Sequence, residues 1–163
     1  MRDDLFMKKE KTDTVTGILE YGNRGNKEWR STSLDLGLLF LRLAVGGLML
    51  FHGIAKLTHG LDMLKPALAA KGLPDWPLYG LYIAEVLAPI LIMIGFWSRL
   101  AAIAIILDMV MAIVLVHSQH IFSLNQAGGW SIEIEAFYLL TALALSFTGA
   151  GRFRVAGSAS RWD

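Results

Sequence analysis

A handful of ionisable residues sit where a chain of this composition should not tolerate them. His52 and Lys56 are four residues apart and share a face if their segment is helical. Glu85 lies in a second apolar stretch, with Pro89 four residues further on. Glu135 opens a fourth stretch, His117 closes the third, and His120 follows just beyond it. Arg42 and Asp108 lie in the middle of the first and third. In a membrane each such group costs about 2.5–3.5 kcal/mol at a helix centre, so each needs a partner or a task.

Two kinds of chemistry fit His52, Lys56, Glu85, Glu135 and His117. One is a self-satisfied polar network that fixes helix packing, with Lys56 on a glutamate and His52 on a backbone carbonyl. The other is a binding site for an amphipathic ligand with carbonyl or hydroxyl groups, such as a quinone. His52 and Glu85 would then exchange protons with its head while apolar spans hold its ring and tail. A metal site on His52, His117 and carboxylates ranks behind these, because no span carries an HxxxH or ExxH pair. Haem ligation by His52 and His117 ranks no higher. The chain has no Cys, which excludes a disulfide scaffold, a Cys-ligated zinc or iron–sulfur site, and thiol redox chemistry by this subunit.

Arg42 and Asp108 each lie about 12 Å into their spans from the same side, by the helical rise per residue. Opposite charges at matched depth are expected to pair as a structural staple between spans one and three, since removing either would strand a charge. Gly46, Met49 and Gly53 follow Arg42 at steps of three or four residues and allow close helix approach on that face. Pro89 lacks the amide that would bond the Glu85 carbonyl, so a kink is expected there, opening a polar cavity.

The elements that must position these residues follow from composition. The chain has 163 residues, 55% of them hydrophobic and 18% charged. The charges concentrate outside four apolar stretches at 34–57, 77–96, 100–117 and 132–149. Each is about 27–36 Å long as a helix, the thickness of a bilayer core. Trp76, Trp97 and Trp130 stand at their boundaries, as in an aromatic belt. The expected fold is all-α: a four-helix transmembrane bundle over 34–151, with a short interfacial helix after the first span. That helix covers Leu61–Lys71 and ends at Gly72 and Pro74. The segment Ser118–Ser131 reads as a polar, flexible outer loop.

Residues 1–33 lack an apolar h-region, do not read as a signal peptide, and are expected to form a loosely ordered cytoplasmic tail. Residues 152–163 form a second tail. Counting Lys and Arg places 11 on the N-terminal side of the bundle against Lys56, Lys65 and Lys71 on the other, so both termini are expected in the cytoplasm. A net charge of +1 excludes a strongly basic nucleic-acid binder.

The segments Leu41-Arg42-Leu43-Ala44 and Leu50-Phe51-His52-Gly53-Ile54-Ala55-Lys56-Leu57 resemble the first-span signature of the DoxX family. Gly72–Pro74, Ala84-Glu85, Gly95 with Ser98-Arg99, Met111-Ala112, and Glu135 before Tyr138 and Gly149-Ala-Gly151-Arg152 follow the same pattern. The resemblance covers residues 36–153. Phe153-Arg154-Val155 departs from the family's usual Ser-Leu-Asp ending, so any role of that Asp is not carried over.

The resemblance implies a multi-pass protein of the bacterial inner membrane, related to the membrane subunit of a thiosulfate:quinone oxidoreductase and to redox-stress complexes with soluble partners. The matching positions are His52, Lys56, Glu85, Arg99 and Glu135, to none of which the family assigns a catalytic role. The expected function is a quinone-interacting or membrane-anchoring subunit of a redox system with no intrinsic cofactor. Its partners would be the lipid bilayer, soluble or membrane redox proteins, or a second copy of itself. The rival reading is a non-enzymatic scaffold, assembly factor or small-solute permeation protein, and whether the chain is an enzyme stays open.

Overall fold

The computed structural model describes residues 2–155, and their side chains from 31 onward. The expected tails at 1–33 and 152–163 fall largely outside the residues whose side chains are described. By its internal contacts the chain divides into Met1–Gly37 and Leu38–Asp163, and the candidate site lies within the second.

Every regular element among the described residues is helical, with no strand and a single isolated bridge, Leu124 to Trp130. Helix α1 runs Arg2–His59. A 3₁₀ turn at Asp62–Leu64 leads into α2, Lys65–Ala69. Gly72, at φ 67°, ends this short helical segment by adopting a left-handed conformation open to glycine. The second long segment is irregular. It starts as a 3₁₀ turn at Trp76–Tyr79, passes through α3 (Gly80–Tyr82) and a π-helical turn at Ile83–Leu87, and ends as α4 (Ala88–Ile94). Helices α5 (Ser98–Leu115) and α6 (Glu133–Thr148) complete the order.

Three of these segments are long and apolar enough to cross a membrane: Ser31–His59, Trp76–Ile94 and Ser98–Leu115. They coincide with the first three expected spans. Helix α6 is shorter, about 24 Å by its rise.

One core joins all four long segments. Val45 and Met49 of α1, Ala88 and Ile92 of α4, Ala102 and Ile105 of α5, and Ala142 and Leu145 of α6 are buried together. The outward faces are apolar as well: Phe51, Leu107, Leu140 and Phe147 are all more than half exposed. A helix apolar on both faces suits a hydrocarbon solvent, where backbone bonds close within the segment and no charged outer face is required.

Glycines set the approach of α1 to the second segment. A Cβ at Gly46 would lie 2.6 Å from Met93 Cγ and 2.8 Å from the Pro89 carbonyl oxygen, and one at Gly53 would overlap the Glu85 carbonyl. The turn into α5 closes α4 in a Schellman arrangement. Phe96 N–H donates to the Leu91 carbonyl (3.0 Å) and Gly95 N–H to that of Ile92 (3.2 Å), with Gly95 at φ 75°. The segment Ser118–Ser131, read as flexible from its Asn and Gly content, is closed on itself. The Asn125 side chain accepts from Ala127 and Gly129 N–H, and the Trp130 indole N–H donates to the Ile121 carbonyl (2.6 Å).

Candidate functional site

Pro89 supplies no N–H, so the Glu85 carbonyl loses its usual partner one turn on. The chain responds by widening: Ala88 N–H reaches back to the Ile83 carbonyl, an i to i+5 bond, and Ile83–Leu87 becomes a π-helical turn. The expected kink thus takes the form of one extra residue in a turn. Its freed carbonyl is the one Gly53 packs against.

Beside this turn lies a cavity of about 220 Å³. His52, Lys56, Glu85, His117 and Glu135 all line it, so the structure brings the five polar residues singled out from the sequence to one place. Most of the remaining wall is apolar, including Met49, Met109 and Leu115, and Leu64, Ala67 and Leu68 from the short helical segment form one side. Leu68 is anchored in a second buried cluster with Leu61, Leu78 and Leu81.

The polar groups are arranged in two pairs and a remainder. Lys56 Nζ is ion-paired with Glu85 Oε1, linking α1 to the π-helical turn. His117 Nε2 lies 3.1 Å from Glu135 Oε1, linking the end of α5 to the start of α6. His52 stands at the exposed margin, its ring edge-on to Tyr138 at 6.2 Å between centroids. Glu85 Oε2 and both oxygens of Asp108 are buried with no hydrogen-bond partner from the protein. Both residues are 4% exposed. His120 is not part of the lining.

The expected pair of Arg42 and Asp108 is not formed. Arg42 is buried, and its guanidinium points to the opposite end of the bundle from the cavity. Nε donates to the Ile92 carbonyl (2.8 Å), Nη2 to that of Met93 (2.9 Å), and Nη1 to those of Phe153 (2.6 Å) and Ala150. Ile92 and Met93 are in the last turn of α4, whose final carbonyls have no helical partner and form the negative end of its dipole. Matched depth fixes neither the rotation of a helix nor the direction of a long side chain. Arg42 therefore satisfies its charge along the axis, and Asp108 turns toward the cavity. Gly95 permits this clasp, since a Cβ there would lie 2.7 Å from Arg42 Nη2.

Sequence reasoning missed Asp108 and Tyr138 as cavity residues. Tyr138 could have been found, because it follows Glu135 by three residues and so shares its face. His117 and Asp108 point apart on an ideal helix yet line one cavity, because α5 stops at Leu115 and His117 lies beyond the regular turn. Arg99 lies elsewhere, donating to the Phe147 carbonyl (3.3 Å). Among the described residues no group of three or more His, Cys, Asp or Glu is placed to hold a metal ion.

The fold and the site define an all-helical membrane protein with a largely apolar cavity, lined by a few ionisable side chains, between its helices. The DoxX family model matches residues 37–118, half of the chain, and the chain belongs to the DoxX family. It is 26% identical over 118 residues to a Bacillus subtilis (strain 168) protein named "Putative oxidoreductase CatD", covering 72% of this chain and 83% of the relative. No solved structure matches the chain.

Proposed function

We propose that this chain is a membrane-embedded subunit of a bacterial redox system whose cavity holds the head of a quinone. The observation that carries the reading is the convergence of ionisable side chains from α1, the π-helical turn, α5 and α6 on one largely apolar cavity. Desolvated groups of this kind are expensive in a membrane and mark ligand or proton pathways. Membership of the DoxX family and the oxidoreductase name of the relative lend it support.

In this reading α6 is a fourth span. Its outer face carries Phe137, Leu140 and Phe147, each more than 60% exposed and suited to lipid. The bundle then returns the chain to its starting side, and the charge count puts both termini in the cytoplasm of a cell whose inner membrane holds the bundle. His52 and Glu85 would exchange protons with the bound head, and electrons would pass to or from a partner protein.

A purely structural network accounts for the Lys56–Glu85 and His117–Glu135 pairs, whereas a bound quinone head would also account for their convergence on one largely apolar cavity. The deciding experiment is lipid extraction of the purified protein with quantification of bound quinone. The native chain should carry quinone, and H52A and E85Q should carry less while remaining folded. A chain purified under mild conditions that neither carries nor takes up quinone would refute the reading.

A further inference from the structure

We infer that the cavity is entered sideways from the bilayer, through the seam between α1 and α6, and that its ligand carries an apolar tail lying in that seam. The inference rests on the quinone reading above for the head, and adds its route and its tail.

Four segments surround the cavity, and the seams between most of them are tied. Lys56 is ion-paired with Glu85 between α1 and the π-helical turn, where Gly53 also packs against the Glu85 carbonyl. Ala88 and Ile92 of α4 are buried in one core with Ala102 and Ile105 of α5. His117 and Glu135 join the end of α5 to the start of α6. Between α1 and α6 at this level the His52 ring stands edge-on to Tyr138, and among the described residues no hydrogen bond or ion pair spans the seam.

A residue that lines a cavity and is also exposed marks its mouth. On α1 that residue is His52, and on α6 it is Ile134, one turn before Tyr138 and 59% exposed. Val116 is exposed as well, but it stands beyond α5, next to the tied His117. A ligand coming from water would have to pass the short helical segment, whose Leu64, Ala67 and Leu68 form that wall.

Outside the mouth lies hydrocarbon. His52 belongs to the Ser31–His59 span, and Phe51 of α1 and Phe137 of α6 are exposed on the outward faces there. The cavity itself, at about 220 Å³, is smaller than the roughly 300–1,000 Å³ of pockets that enclose a drug-sized molecule. It takes a single ring and leaves no room for a chain. A ligand seated there must therefore pass its tail out through the open seam, into surroundings as apolar as the tail itself.

The test uses the purified full chain and two probes, decylubiquinone and the same dimethoxy-methyl-benzoquinone head without the decyl chain. Binding of both is measured in one detergent to the native protein, I134W and L140W. A bulkier side chain in the seam should weaken decylubiquinone about tenfold in I134W, by overpacking against the tail, and leave the tail-less head unchanged. Leu140 is outside the lining, so L140W should change neither. Loss of both probes alike in I134W, or of neither, overturns the inference and leaves the quinone reading standing. Binding of neither probe by the native chain overturns the quinone reading and the tail with it. The direction of the mouth is read separately, with a nitroxide attached through H52C in proteoliposomes. Oxygen, which dissolves in lipid, should relax it more than a water-soluble nickel chelate does. The reverse order would put the mouth in water and overturn lateral entry, whatever the probes do.

Discussion

Lys56 and Glu85 are ion-paired across the cavity wall, and the second oxygen of Glu85 is left without a protein donor. The lysine is partly exposed and the glutamate buried, at 27% and 5% side-chain exposure. The pair thus ties α1 to the π-helical turn at Ile83–Leu87.

This pair should be coupled in stability. Removing one partner of a buried pair strands the other at about 3–5 kcal/mol, and the partial exposure of Lys56 puts the cost at the lower end. K56M is expected to destabilise the protein strongly in detergent, and K56M/E85Q to recover much of the loss. Thermal unfolding of the two single variants and the double variant measures the coupling. Simple additivity would show that the pair contributes nothing.

Arg42 and Asp108 should show the opposite behaviour. Their groups share no partner, so the costs of R42L and D108L should add to within about 0.5 kcal/mol in a double-variant cycle. R42K should also be costly. A lysine ammonium has fewer donors and no planar fork to span the carbonyls of Ile92, Met93, Ala150 and Phe153. Wild-type stability in R42K would mean that charge alone, not the four-carbonyl clasp, is what Arg42 provides.

Close helix approach can be tested with glycines. A Cβ at Gly53 overlaps the Glu85 carbonyl, whereas one at Gly47 meets nothing within 4 Å. G53A is expected to cost about 1–3 kcal/mol by pushing α1 away from the π-helical turn. G47A should be neutral or slightly stabilising, because alanine is the better helix former. Equal effects of the two would deny the tight contact.

Topology is open to labelling because the chain has no native Cys. In the proposed orientation N125C reacts with a membrane-impermeant maleimide added to intact cells. V155C, at a position 77% exposed, reacts only after lysis. Reversed labelling would place the cavity on the cytoplasmic half of the membrane.

The apolar spans, their approximate ends and the disturbance at Glu85 were legible in the residues themselves. Hydropathy over some twenty residues is a local property of composition, and a missing amide at Pro89 acts on the carbonyl four residues back whatever surrounds it. The grouping of His52, Lys56, Glu85, Glu135 and His117 was legible for a related reason: residues at similar depth on adjacent spans have few other places to go. Which residue each charge answers was decided by tertiary structure. Arg42 was read as the partner of Asp108, yet it reaches the carbonyls at the end of α4. Helix rotation and the direction of a long side chain depend on packing against neighbours, through contacts such as Gly53 against Glu85 and Gly95 against Arg42. Those contacts join residues tens of positions apart. Periodicity within a single helix carries no information about them, so the place of Asp108 in the cavity lining became visible only when the helices were set side by side.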